Sequence, residues 1–215
     1  MRMRKKPNLL PRMERCSDVA AVQPELLRGR WRDELPGCSA LYLELGCGKG
    51  RFTAETAASV PEILYIAVER VPDAMVVAME RVCSLNLKNV RFIDIDAARL
   101  EEIFAPGEAD RIYINFCDPW PSNRHAKRRL TAPGFLDLYK RILTPGGEIH
   151  FKTDNAPLFE FSLTSFRRAG FLTYEVTHDL HWNGVCGVMT DYEAKFHALG
   201  VPINRCVAKL PDLIV

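Results

Sequence analysis

Apolar positions along the chain alternate between short β-rich runs and longer stretches with helical spacing. Runs at Leu41–Leu45, Ile63–Val68, Val90–Asp94, Arg111–Cys117, Glu148–Thr153, Phe171–Thr177 and Val201–Lys209 predict strands. Between them, Gly50–Ser59, Pro72–Asn86, Ala97–Phe104, Pro133–Leu143, Ala156–Ala169 and Tyr192–Leu199 predict helices, several with Pro in the first turn or Gly just past the end. Strands and helices taken in turn imply a doubly wound α/β fold, a mostly parallel seven-stranded sheet covered on both faces, because right-handed crossovers leave few other topologies. The expected organisation is one domain over 1–215 with a basic arm at about 1–23.

In such sheets ligands bind beyond the carboxyl ends of the strands, where strand order reverses. The loop after the first strand reads Glu44-Leu45-Gly46-Cys47-Gly48-Lys49-Gly50, glycines at alternate positions leading into a helix. That turn is either a tight connection or a cradle for a nucleoside-bearing ligand. Glu69, nineteen residues past Gly50 at the end of the second strand, is placed to accept from both hydroxyls of a ribose. Asp96, followed by Ala97, reads either as an adenine contact or as the N-cap of the next helix. The spacing departs from both the Gly-x-Gly-x-x-Gly dinucleotide turn and the P-loop. It resembles the first motif of S-adenosylmethionine-dependent methyltransferases, with Glu44 near the ammonium of the amino-acid tail.

The fourth strand exits into Asp118-Pro119-Trp120-Pro121, followed by Ser122, Arg124, His125, Lys127, Arg128 and Arg129 in a stretch without acidic residues. An aspartate at the ligand end of the sheet beside a cluster of cations points to a substrate with a phosphate backbone. Arg2, Arg4, Lys5, Lys6, Arg12 and Arg15 suggest that the amino-terminal arm also touches RNA.

Composition narrows the field. The 215 residues carry 29 Lys plus Arg against 27 Asp plus Glu, a formal charge of +2, with 47% hydrophobic residues. These values are ordinary for a globular chain and argue against disorder or a fibrous fold. No apolar run is long enough for a membrane span, and the first 16 residues lack a signal-peptide core. Seven scattered cysteines without a Cys-x-x-Cys pair read as reduced thiols in a cytoplasm and offer no zinc site. The expectation is a cytoplasmic protein without membrane or metal, either a monomer or a homodimer.

Over Leu41 to Val207 the chain is identified as a member of the bacterial tRNA (guanine-N7-)-methyltransferase family, through LELGCGKGRF, AVER, NVRFIDIDA, NFCDPWPSNRHAKRRL, PGGEIHFKTDN and TDYEAKFHALGVPI. DPWP-x-x-RH-x-KRRL and T-x-YE-x-KF are the most specific of these. The resemblance implies a Rossmann-like class I methyltransferase fold, S-adenosylmethionine as donor and a guanine in the variable loop of tRNA as acceptor. It implies cofactor contacts at Glu44, Gly46, Gly48, Gly50, Glu69, Asp96, Ala97 and Asp118, with Asp118 also catalytic. It implies substrate contacts at Ser122, Arg124, His125, Lys127, Arg128, Arg129, Asp154, Thr190, Asp191, Tyr192 and Glu193. The family often has Lys where Ser122 stands, and Arg124 or Lys127 is the alternative cation. Thr190 and Glu193 also satisfy the capping-box pattern. Two other readings are an adenine-N6 amino-methyltransferase, which Trp120 in place of a second proline disfavours, and an RNA-binding module with a vestigial pocket, which intact Glu44, Glu69 and Asp118 disfavour. All of this requires the tips of the first, second and fourth strands to converge on one crevice.

Overall fold

A computed structural model describes residues 5–212. Its core is a seven-stranded sheet in the order β3-β2-β1-β4-β5-β7-β6. The strands are β1 (Ala40–Leu45), β2 (Ile63–Val68), β3 (Val90–Ile93), β4 (Ala109–Asn115), β5 (Leu143–Thr153), β6 (Leu172–Thr177) and β7 (Asn204–Lys209). Strands β1 to β5 pair in parallel, while β7 runs antiparallel to both β5 and β6. Every residue of β2 is buried, as expected of a central parallel strand with both faces covered. The helices are α1 (Leu9–Glu14), α2 (Arg51–Ser59), α3 (Pro72–Ser84), α4 (Leu100–Ile103), α5 (Pro133–Ile142), α6 (Ala156–Arg168) and α7 (Asp191–Ala198). No helix among the described residues is long and apolar enough to cross a membrane.

The chain goes from β1 outward to β2 and β3 on one side, then returns to lay β4 and β5 on the other, so the topological switch point lies between β1 and β4. Register brings the relevant tips level: Leu45 pairs with Val68 of β2, and also with Ile114 of β4. The residues just beyond, Gly46, Glu69 and Asn115, therefore leave the same edge of the sheet.

Several boundaries differ from the sequence reading. β4 stops at Asn115 because Phe116 takes φ 53°, turning the chain while its amide still donates to the Lys152 carbonyl at 2.9 Å. β5 begins at Leu143, and a register shift absorbs the Pro145-Gly146-Gly147 stretch. The Ala97–Phe104 helix divides into a 3₁₀ turn at Ala97–Arg99 and α4. A further 3₁₀ turn spans Asn123–Arg128.

The amino-terminal stretch is also more ordered than an arm. Arg12 forks onto Glu80 of α3 at 2.7 and 2.6 Å, and Ala21 donates to Phe92 of β3 at 3.0 Å. Arg12 is thereby paired within the chain, while Arg2 and Arg4 lie outside the described residues. Further on, Trp31 is fully buried and donates to the Ile103 carbonyl at 2.7 Å, closing the opposite end of the sheet.

Candidate active site

A cleft of about 950 Å³ opens at the switch point, within the range of small-ligand sites. Glu44, Gly46, Gly48, Glu69, Thr190, Asp191 and Tyr192, all singled out in the sequence, line it. Lys6, Cys47, Lys49, Arg51, Phe52, Val71, Ala74, Asn115, Phe116, Lys195 and Phe196 complete the lining.

The glycine turn is bonded to the adjacent strand tip rather than open to an anion. Gly46 and Cys47 both donate to the Val68 carbonyl, at 2.8 and 3.1 Å, and Gly48 donates to Glu69 Oε2 at 2.9 Å. With these amides engaged, the turn offers no nest for a phosphate. Its three glycines do different work. A Cβ at Gly46 or Gly48 would meet nothing within 4 Å, leaving backbone exposed on the open side of the turn. A Cβ at Gly50 would lie 2.5 Å from Ala78 Cβ, so Gly50 lets α2 pack on α3 and does not line the cleft.

Glu44 is buried under the turn and accepts from Thr53 Oγ1 at 2.6 Å, Tyr65 OH at 3.3 Å and Asn115 Nδ2 at 3.3 Å. Burial pushes its carboxyl up to about 7, against those hydrogen bonds and the nearby Lys152. Asn115 is 7% exposed and spends its amide nitrogen on Glu44, while its Oδ1 has no partner among the described residues. Asn115 lines the cleft, and a buried acceptor without a partner is a group that a ligand's donor would satisfy. Glu69 holds the turn through Gly48 and also accepts from Val71 N at 2.8 Å, so each carboxylate oxygen keeps acceptor capacity.

Asp96 takes the N-cap role, accepting from Ala98 N at 2.9 Å, and pairs with Arg70 at 2.6 Å. Neither Asp96 nor Ala97 lines the cleft. Asp118 is exposed and makes no side-chain hydrogen bond among the described residues. It does not line the cleft, but lies two residues beyond Phe116, which does. Their Cα atoms are thus within about 7 Å.

The basic loop separates into exposed and internal cations. Arg124, Lys127 and Arg128 are exposed, and Ser122 is exposed with no capping bond from its side chain. Trp120, at φ 42°, is flanked by Arg128 at 4.9 Å and by His125 at 5.8 Å. Arg129 corrects the sequence expectation. It is 9% exposed, donates to the Pro119 and Trp120 carbonyls at 3.0 Å, and lies 4.3 Å over the Phe161 ring. A guanidinium tied in this way shapes the loop instead of meeting a phosphate.

The far wall comes from α7. Tyr192 sits between the Phe116 and Phe196 rings, at 5.1 and 4.2 Å, and donates to Asp154 Oδ2 at 3.2 Å. Partial burial, then Asp154, raises its hydroxyl above the ordinary tyrosine range. Asp191 pairs with Arg81 at 3.2 Å. Glu193 is a second correction: it has no exposed surface, does not line the cleft, and completes a capping box with Thr190. Among the described residues no cluster of three or more His, Cys, Asp or Glu is arranged to hold a metal ion.

Sequence reading missed Asn115, Phe52 and Phe116. Asn115 carried a signal, being a polar residue at the end of an otherwise apolar strand.

A family model described as "Putative methyltransferase" matches residues 39–206. A tRNA (guanine-N(7)-)-methyltransferase of Bacillus velezensis is 45% identical over 206 residues, covering 95% of this chain and 95% of that relative. One from Geobacillus sp. (strain WCH70) is 43% identical over 212 residues, covering 98% of this chain and 96% of the relative. Among solved structures, the 16S rRNA methyltransferase KamB aligns with TM-score 0.66 at 14% identity, over 85% of this chain and 93% of that one. TrmN from Thermus thermophilus aligns with TM-score 0.57 at 23% identity, over 86% and 47%. The structural likenesses establish the class I methyltransferase fold, and the close full-length relatives establish the rest: this chain belongs to the tRNA (guanine-N7-)-methyltransferase family of S-adenosylmethionine-dependent enzymes.

Proposed function

We propose that this enzyme methylates N7 of a guanine in the variable loop of tRNA, in a cytoplasm, with the switch-point cleft as the donor site. The observation that carries the reading is the donor set of that cleft. Its turn amides are already engaged, Asn115 beside Glu44 has an Oδ1 without a partner among the described residues, and Glu69 lines the same cleft. Such a site suits a cationic amino-acid tail and a ribose, not a pyrophosphate. Asn115 and Glu44 would hold the ammonium and Glu69 the ribose hydroxyls, with Phe52 and Phe116 as apolar walls. S-adenosylmethionine, when bound, supplies an electrophilic methyl group.

Guanine N7 is an unprotonated lone pair, so no residue has to remove a proton from the nucleophile. The work of the chain is orientation, which when geometry is good lowers a barrier by about 7–11 kcal/mol. Positive charge accumulates on the purine during transfer, and the Asp118 carboxylate at its edge favours that accumulation. The same carboxylate accepts from guanine N1–H and the exocyclic amine, which selects guanine over adenine. N7 in an A-form helix faces a deep, narrow groove, so the target base has to be unpaired or turned out. Arg124, Lys127 and Arg128 supply phosphate contacts beside it.

The test is to incubate unmodified tRNA with methyl-labelled donor, digest the product and identify the labelled nucleoside. Label in 7-methylguanosine is expected. Label in N6-methyladenosine, or none, overturns the reading.

A further inference from the structure

Helix α7 supplies Asp191, Tyr192, Lys195 and Phe196 to the cleft, yet its only buried residue is Glu193. A helix packed on a domain is ordinarily held by an apolar stripe. Here a carboxylate occupies that place.

Three segments meet on it. Lys152 of β5 donates to Oε1 at 3.1 Å and to Oε2 at 3.2 Å, and also to the Val188 carbonyl at 2.9 Å. His181 Nε2 lies 3.0 Å from Oε1. Because His181 Nδ1 accepts from Cys186 N at 3.1 Å, the ring proton resides on Nε2 and is donated to Glu193. Thr190 N donates to Oε2 at 3.1 Å, and the Thr190 hydroxyl accepts from Glu193 N at 2.9 Å. Lys152 reaches the opposite wall as well, since its carbonyl accepts from Phe116 N at 2.9 Å and its Nζ lies 5.3 Å from the Phe52 ring.

We propose that the buried Lys152–Glu193–His181 assembly is a latch that sets α7 as the cleft wall, so that Glu193 and Lys152 are positioning residues for tRNA and Glu193 does not touch it. The network spans β5, the loop ahead of α7 and the α7 amino terminus. It lies one residue from Tyr192, which packs on Phe116. Burial lowers the Lys152 ammonium below its ordinary range while Glu193 raises it, as for a cation whose charge depends on its partner. Removing one charge leaves the other buried and unpaired, whereas removing both leaves a neutral contact.

The proposal rests on tRNA being the substrate, and the test separates the two claims. Hydrogen exchange of residues 181–199 is measured without RNA, and tRNA binding by filter retention, for wild type, Glu193→Gln, Lys152→Met and the double variant. Each single variant is expected to lose exchange protection over 181–199 and to bind tRNA about 100-fold more weakly. The double variant is expected to regain protection and to bind within about 10-fold of wild type. His181→Leu, which removes a neutral donor and leaves the ion pair, supplies a milder change should a charged variant fail to fold, with a loss of about 10-fold in the same direction. Full protection in the single variants overturns the latch. A double variant that regains protection but binds tRNA as poorly as Glu193→Gln overturns it too, since Glu193 would then contact RNA directly. Failure of the wild type to bind tRNA refutes the substrate and leaves the exchange result to judge the latch.

Discussion

Gly50 and Ala78 leave no room between them: a Cβ on Gly50 would fall 2.5 Å from Ala78 Cβ and 2.8 Å from its Cα. Gly46, four residues earlier at the head of the same turn, has φ +83° and open space on its Cβ side. The motif therefore joins a packing glycine to a glycine that lines the cleft. Gly50→Ala is expected to cost about 3 kcal/mol or more in chemical denaturation, from overpacking and left-handed strain together. Gly46→Ala is expected to cost only about 1–2 kcal/mol but to weaken S-adenosylhomocysteine binding, measured by calorimetry. Equal stability losses with equal affinities would remove the distinction.

Glu44 gives the enzyme a signed pH dependence. Its carboxyl titrates at about 7 in the folded chain, against 4.5 when free of the fold. Between those values the folded state holds a proton that the unfolded state has released, so this group's contribution to stability falls as pH rises through the window, by about 3 kcal/mol in all. Glu44→Gln has nothing to titrate. Relative to wild type it should gain about that amount between about pH 5 and about pH 8 in urea melts. A difference independent of pH would contradict the assignment.

Asn115 Oδ1 supplies the simplest probe of the donor's amino-acid tail. Asn115→Leu should weaken S-adenosylhomocysteine about 10-fold, the loss of a hydrogen bond to a charged group, and leave 5′-methylthioadenosine, which has no such tail, unchanged. Equal losses for both ligands would make Asn115 a structural residue alone.

Ser122 is exposed at the head of the basic 3₁₀ turn, with its side chain unbonded. Ser122→Lys should strengthen tRNA binding and steepen its salt dependence by about 0.7–0.9 in log–log slope, and Arg128→Ala should make it shallower by as much. Arg129→Ala should lower the melting temperature, because that side chain braces Pro119 and Trp120 from within. An unchanged slope in the first two variants would take this loop out of the interface.

The strand tips were legible because the parallel strands are apolar and the polar residues that end them, Glu69 above all, break the pattern. The bend of β5 was not: Pro145-Gly146-Gly147 reads as a turn, and only pairing with β4 reveals an irregular strand. Residues 17–34 fold as short 3₁₀ turns anchored by Trp31 and Glu108, a contact between distant segments that no local period announces. Within the site, the family resemblance implied substrate contacts at Arg129 and Glu193. Both are buried, and their partners, two backbone carbonyls for one and Lys152 with His181 for the other, come from tertiary packing that composition does not encode.

The central claim is that the loop leaving β4 presents one carboxylate to the purine while the cleft beside it holds the donor. Single-turnover methyl transfer by Asp118→Ala, with tRNA and S-adenosylhomocysteine affinities measured on the same preparation, tests it most directly. The account requires a rate at least about 100-fold below wild type with both affinities within about threefold. A variant that transfers methyl groups at the wild-type rate would contradict it.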